Sequence, residues 1–214
     1  MKFLKVMQIN TTYLRLRRNL GLLGFSLPVL LVVGNNFRIQ SSLSLYYYTR
    51  MSVVFTGVLC AFGLFLFSYR GYEKERETIS DNWLTNFAGV LAIITALVPT
   101  ACNNHEYIAP NGHNSLVLGL IHIISASGFL AIMGWMALFR FTRGDTSNPL
   151  KRKRNVVYRT CGIGVWTMLS LLTLSVIFKI NFTGYDVFIG ETLSVLFFSS
   201  AWIVKGETLR PIGL

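Results

Sequence analysis

The sequence predicts an all-α protein, a polytopic transmembrane helix bundle with about six spanning helices and both termini cytoplasmic. Three observations support this fold class. The chain has 214 residues, of which 52% are hydrophobic and 14% charged, with a mean hydropathy of +0.51, whereas soluble domains carry roughly 25% charged residues. Six apolar stretches approach the length of a membrane span. Basic residues lie mostly in alternate connections between those stretches. The composition and the apolar stretches together exclude an ordinary soluble domain.

Each predicted span follows from hydropathy, because about 20 mostly apolar residues cross roughly 30 Å of hydrocarbon. The first span contains Pro28, which favours a kink or tilt, and the fourth is long enough to require tilting or extension beyond the bilayer. The six spans are predicted at 19–36, 52–70, 83–101, 115–141, 156–178 and 187–205.

The orientation follows from the excess of Lys and Arg in short cytoplasmic loops. With the N-terminus inside, 17 of the 20 basic residues lie on the cytoplasmic side, and only Arg38, Arg50 and Lys179 lie outside. This partition also accounts for the formal net charge of +11. The KRKR run at 151–154 is therefore interpreted as a topology determinant that contacts anionic lipids, and we expect no nucleic-acid partner.

The chain divides into three predicted regions. Residues 1–18 mix apolar and basic side chains, which favours a cytoplasmic interfacial segment on anionic lipid. Because this stretch lacks the apolar core of a signal peptide, we expect the first hydrophobic segment to be retained. Residues 19–205 form the six-helix domain and 206–214 a cytoplasmic tail. The three cysteines show no CxxC spacing, which predicts free thiols.

Ionisable residues at membrane depth are costly, so each is a candidate functional residue. His122 lies about two turns into the fourth span on a face of small residues, and Glu191 lies near the outer end of the sixth. A hydrogen bond between them would fix the imidazole tautomer. The alternative is a structural one, in which His122 only donates a hydrogen bond between helices.

Further polar residues converge on the outer half of the predicted bundle. Tyr47, Tyr48 and Arg50 precede the second span, and the loop 102–114 carries His105 and His113. Neither HxxxH nor HxxE spacing is present, so a metal site formed by His105, His113 and His122 is an alternative with little support in the sequence.

A second polar group lies at the predicted cytoplasmic ends and is interpreted as structural. Ser80 or Asp81 is a candidate N-cap of the third helix. Arg159 could pair with Glu207, and Lys205 is placed to extend toward the lipid headgroups. The other members of this group are Asn82, Asn86 and Tyr158.

Several segments resemble a family of uncharacterised bacterial six-helix inner-membrane proteins, which is distantly similar to the DRAM/Sfk-like proteins. They are SLSLYYYT, GVLCAFGLFLFSYRGYE, DNWLTNFAGVLAIITALVPT, IHIISASGFLAIMGWMALFRFT and AWIVKGE. The resemblance implies the fold and a bacterial inner-membrane location, but no established activity, and the cofactor is unknown. The alkaline ceramidase and adiponectin-receptor superfamily is a looser comparison. The intramembrane zinc site of that superfamily uses an SxxxH element, but here Tyr48 rather than His stands four positions after Ser44.

The sequence therefore favours a non-enzymatic membrane protein that binds a lipid or small amphiphile in the outer half of the bundle. The residues expected to line the site are Tyr47, Tyr48, Arg50, His122 and Glu191. Two alternatives remain open, a metal-assisted intramembrane hydrolase and a structural subunit of a membrane complex. The expected partners are membrane lipids, with a second membrane protein or a second copy of the chain left open.

Overall fold

The computed structural model describes residues 2–69, 80–101, 116–144 and 147–206. Within these ranges the chain is helical and contains no strand. The six helices are α1 (Lys2–Gly34), α2 (Ser52–Phe67), α3 (Asp81–Leu97), α4 (Leu116–Trp135), α5 (Pro149–Phe178) and α6 (Asp186–Lys205). A short 3-10 helix, Ser44–Tyr48, precedes α2, and a π-helical turn, Met136–Arg140, extends α4.

The helices form a closed ring. Each packs against the next in chain order, and α6 closes the ring by packing along α1. Aromatic side chains from three helices fill the centre: Phe62 of α2, Phe129 of α4 and Phe198 of α6 have ring centroids 5.5 to 6.2 Å apart. Phe198 meets the other two rings edge to face, whereas Phe62 and Phe129 are stacked, and both arrangements add to the stabilisation from burial.

Small residues bring the helices close together. A Cβ atom on Gly63 would lie 2.9 Å from the carbonyl oxygen of Gly89, and one on Gly89 would lie 2.9 Å from that of Gly63. The α4 and α5 backbones approach in the same way at Gly134 and Gly162. Since lipid is as apolar as the side chains, such close packing is a main source of helix association in membranes.

The outer surface of the ring is apolar. Large side chains such as Val117, Ile124 and Val176 are 64 to 72% exposed, as expected of helices that face lipid. Within the described ranges, four helices can cross a membrane by length and composition: Leu14–Gly34, Leu116–Arg140, Pro149–Phe178 and Asp186–Lys205. The helix α2 is apolar but has 16 residues, and α3 has 17.

The predicted segments match the helices, but some bounds differ. The helix α5 begins at Pro149 rather than 156, because the Asn148 side chain caps it by accepting from the Leu150 N–H at 2.9 Å, and Pro is favoured in the first turn. The KRKR run at 151–154 is therefore helical rather than a loop. The N-cap prediction for α3 is confirmed, since Ser80 Oγ accepts from the Trp83 N–H.

The two ends of the ring differ in charge. One end contains Arg17, Arg140, the 151–154 run and Lys205, and we call it the basic end. The other end is formed by residues 35–51, 98–101 and 179–186, and we call it the opposite end. Helices joined by these short connections run antiparallel to their neighbours, so most basic residues gather at one end, while Arg38, Arg50 and Lys179 lie at the other.

Candidate functional site

Glu191 anchors the 41–44 segment to α6 at the opposite end. Its Oε2 accepts from the Leu43 N–H at 2.6 Å, and its Oε1 accepts from the Ser44 hydroxyl at 3.2 Å. The Ser41 carbonyl accepts from the Phe188 N–H at 2.9 Å, which satisfies one of the free N–H groups at the start of α6. The carboxylate is partly buried and still has lone pairs that none of these contacts uses.

The tyrosine triplet fastens the 3-10 helix to its surroundings. The Tyr48 hydroxyl donates to the Thr100 carbonyl at 2.6 Å, and Tyr47 reaches the Leu97 carbonyl at 3.5 Å. Tyr46 is fully buried and donates to the Arg38 carbonyl at 3.2 Å. Burial raises the pKa of Tyr46 above its usual value, with a hydrogen bond to the Gln40 backbone acting in the opposite direction.

His122 carries an unused hydrogen-bonding atom. Its side chain is 1% exposed, and Nδ1 lies 2.7 Å from the Val98 carbonyl at the end of α3. A carbonyl only accepts, so Nδ1 carries the proton and a neutral ring leaves Nε2 as an acceptor. Nε2 is buried without a hydrogen-bond partner among the described residues. Buried polar atoms are rarely left in this state, so this atom marks a place for a hydrogen-bond donor.

Both ionisable residues line one cavity of about 720 Å³, a volume within the usual range for small-molecule sites. Its polar lining includes His122, Glu191, the serines 41, 42, 44 and 127, and Thr173 and Ser175 of α5. Its aliphatic lining includes Ile123, Leu169, Leu172, Val176, Ile177 and Ile180. One cavity thus offers a polar surface beside an aliphatic wall.

The cavity is a cleft between α4 and α5. The two helices touch at Gly134 and Gly162, near the basic end. Toward the opposite end the cleft separates Ile123 and Ser127 of α4 from Thr173 of α5, and all three side chains are exposed. The cleft is therefore open to the outside of the ring along its apolar wall.

The connection between α5 and α6 forms the rim. Lys179 ends α5 in a left-handed conformation with φ +53°, which turns the chain toward α6. Asp186 closes this turn by accepting from the Phe182 N–H at 2.6 Å and from the Thr183 hydroxyl at 2.8 Å. Lys179 and Asp186 also line the cleft, so each sign of charge is present at its mouth.

The structure brings together two of the predicted site residues, His122 and Glu191. They share the cleft but are not hydrogen-bonded to each other, because each has its own backbone partners. Tyr47, Tyr48 and Arg50 do not line the cleft; Tyr48 supports its Thr100 wall from behind, and Arg50 is exposed.

Of the three residues of the alternative metal site, the structure describes only His122. The other two, His105 and His113, lie outside the described residues. Within the described ranges, no group of three or more His, Cys, Asp or Glu side chains is arranged to hold a metal ion.

Sequence reasoning did not single out the residues that complete the cleft. They are Ser41 and Ser127, the aliphatic face of α5 at 169–177, and Lys179 as a rim residue. A weak signal was available, since the Ser and Thr residues of α5 interrupt an apolar run.

Fold and site together define the class of protein: an all-helical bundle in which four helices can cross a membrane, with an amphiphilic cleft at the less charged end. Comparison of the chain with protein-family models, curated proteins and solved structures finds no match.

Proposed function

We propose that this protein binds a lipid or small amphiphile in the α4–α5 cleft and has no catalytic activity of its own. The observation that carries the proposal is one cavity lined both by His122 and Glu191 and by aliphatic side chains of α4 and α5. A polar head and an apolar chain on one ligand match these two surfaces. Because lipid is as apolar as the wall of the cleft, the chain gains little from hydrophobic burial, and close packing together with hydrogen bonds to the polar head supplies the selectivity.

The polar side of the cleft favours a hydrogen-bond donor as the ligand head. His122 Nε2 is an unused acceptor, and Glu191 retains accepting capacity beyond its bonds to Leu43 and Ser44. A hydroxyl-bearing or ammonium-bearing head fits this set better than a phosphate does, because phosphate oxygens accept hydrogen bonds, as Glu191 and His122 Nε2 also do.

The proposed orientation places the cleft in the outer half of the bilayer. All six helices are inferred to cross the membrane, with both termini cytoplasmic, in a bacterial inner membrane. The ring of antiparallel neighbours and the concentration of basic residues at one end support this topology. At 1.5 Å per residue, α2 and α3 span about 24 to 26 Å, so the bilayer is expected to thin slightly beside them.

The test is native mass spectrometry of protein purified in mild detergent, followed by lipid analysis. Ala126 lines the cleft and Ile124 faces outward on the same helix, so Ala126→Trp fills the site while Ile124→Trp is its matched control. We expect a bound amphiphile in wild type and in the control, and at least about tenfold less in Ala126→Trp. Equal occupancy in all three proteins would remove the proposal.

Removal of the polar groups should change which amphiphile binds. His122→Ala and Glu191→Ala leave the aliphatic wall intact, so we expect the bound species to shift toward molecules with fewer hydrogen-bond donors. Identical lipid profiles in wild type and both variants would contradict the role given to these side chains.

A structural subunit of a membrane complex is the second candidate, because the bond from His122 to the Val98 carbonyl ties α4 to the end of α3. In that case His122 would only connect helices. A stable protein partner in mild-detergent pull-downs, together with an empty cleft in mass spectrometry, would favour this role over amphiphile binding.

A further inference from the structure

The basic end contains a cluster of cations drawn from three helices. Lys205, at the end of α6, lies within interaction range of Arg17 on α1 and of Lys151 and Arg154 on α5. These positive charges repel one another, and the side chains are only partly exposed. We call Arg17, Lys151 and Lys205 the cation cluster.

One carboxylate lies near this cluster among the described residues, and it already has a partner. Asp81 attracts Lys205 but forms an ion pair with Arg140, whose Nε lies 3.1 Å away, and both side chains are less than 10% exposed. The Asp81 charge is therefore largely offset by Arg140, and little of it remains for the cation cluster.

Aromatic faces hold the cations in place. Lys205 Nζ lies 5.0 Å from the centre of the Phe141 ring, Lys151 Nζ lies 5.7 Å from that of Tyr158, and the Arg17 guanidinium lies 5.2 Å from that of Tyr69. Cation–π contacts orient these groups but add no negative charge.

Hydrogen-bonding capacity also remains in the cluster. Arg17 Nε is buried with no hydrogen-bond partner in the described part of the chain. Lys151 gives one of its three protons to the Phe141 carbonyl at 2.8 Å, which leaves the others for further partners.

We propose that the cation cluster binds a phosphate group, and that an anionic lipid headgroup or free phosphate occupies it. Cations gathered from separate helices and partly withdrawn from water need an anion to offset their repulsion and desolvation. A phosphate satisfies several Lys and Arg donors at once through charge-assisted hydrogen bonds. This site is independent of the α4–α5 cleft, which lies at the other end of the ring.

Titrations of the full-length protein in neutral maltoside micelles test the proposal, with the shift in melting temperature as the readout. The anionic probes are dioleoyl phosphatidylglycerol, compared with zwitterionic dioleoyl phosphatidylcholine, and inorganic phosphate, compared with chloride at equal ionic strength. We expect phosphatidylglycerol, phosphate or both to stabilise the wild type more than phosphatidylcholine and chloride do. Stabilisation by the lipid alone identifies a headgroup site, and stabilisation by inorganic phosphate identifies a site for the free anion.

Matched variants separate the cluster from diffuse surface charge. Arg17→Gln and Lys205→Met each remove a cluster cation, whereas Arg152→Gln and Lys153→Met remove exposed cations from the same end. We expect the apparent Kd to rise about tenfold in each cluster variant, as for loss of one charge-assisted contact, and less than about twofold in the controls. Because the cluster variants are single substitutions on different helices, either one suffices if the other does not purify.

Two results would overturn the proposal. In the first, phosphatidylglycerol stabilises the wild type no more than phosphatidylcholine does, and phosphate no more than chloride. No phosphate site then exists, as would follow if the chain's own carboxylates already neutralise the cluster. If cluster and control variants weaken binding equally, the effect comes from overall basic charge rather than from these three side chains.

Discussion

Replacement of Glu191 by alanine should release the 41–44 segment from α6. The substitution removes the acceptor of the Leu43 N–H at 2.6 Å and of the Ser44 hydroxyl at 3.2 Å. At about 1 to 1.5 kcal/mol for each net hydrogen bond, the local opening free energy should fall by about 2 to 3 kcal/mol. This corresponds to roughly a 30- to 150-fold increase in the population of the open segment.

Hydrogen–deuterium exchange measures this opening directly, since exchange of a protected amide reports the free energy of local opening. Peptides that cover 41–46 should exchange faster in Glu191→Ala by about that factor, while peptides from α3 stay unchanged. Glu191→Gln retains one accepting oxygen, so a smaller effect is expected.

Asp186→Ala is the matched control, because this carboxylate lies at the same end but accepts from Phe182 and Thr183 instead. It should accelerate exchange in 181–185 and leave 41–46 as in wild type. If exchange in 41–46 of Glu191→Ala stays within twofold of wild type, Glu191 does not anchor the segment and the reasoning is refuted.

Three further predictions use thermal or chemical unfolding in one detergent. Gly63→Ala should destabilise the bundle by about 1 to 3 kcal/mol, because its Cβ would lie 2.9 Å from an α3 carbonyl. Gly57→Ala on the same helix meets nothing within 4 Å and should be neutral or stabilising. Equal effects of the two substitutions would contradict the close packing. Tyr46→Phe should cost about 1 kcal/mol at pH 8. Burial raises the pKa of Tyr46 above 10.0, so wild type loses stability as pH rises past 10. The difference in unfolding free energy between wild type and Tyr46→Phe should therefore be smaller at pH 11 than at pH 8. A difference that stays constant would argue against burial of the phenol. Asp81→Ala should lower the unfolding free energy by about 3 kcal/mol, because Arg140 stays buried without the Asp81 carboxylate. Adding Arg140→Met to this variant should recover at least about 1 kcal/mol. Strict additivity in this double-mutant cycle would contradict the ion pair.

Hydropathy was sufficient to predict the helical segments because each combines an apolar core with polar connections. It could not predict where the helices begin, as the start of α5 shows. Apolar content begins near 156, but the helix begins at Pro149, where Asn148 provides a cap and the basic residues that follow are good helix formers. Hydropathy marks the part of a helix that lies in lipid rather than the whole helix.

His122 and Glu191 could be selected from the sequence because an ionisable group is rare in an apolar run. The role given to Tyr47 and Tyr48 could not be derived in the same way. A 3-10 helix turns each side chain by about a third of a turn, and nothing in the triplet indicates which side faces the cleft. Their hydroxyls donate to carbonyls at the end of α3 instead.

The cleft and the cation cluster depend on helix packing that sequence patterns do not encode. The cleft exists because α4 and α5 meet at Gly134 and Gly162 and separate beyond them. At the other end, Lys205 was interpreted as a residue that extends toward headgroups, but the ring brings it beside Arg17, which lies at the far end of the sequence. Contacts between distant segments require the tertiary fold.

Photo-cross-linking inside the cleft tests the central claim most directly. A benzoylphenylalanine residue would replace Leu172, which lines the cleft and is half-buried, or Ile163, which is exposed on the same helix outside it. After irradiation in native membranes, intact-mass analysis should show one dominant amphiphile adduct at 172 and a mixture of bulk lipids at 163. The same bulk-lipid mixture at both positions would contradict a specific amphiphile site.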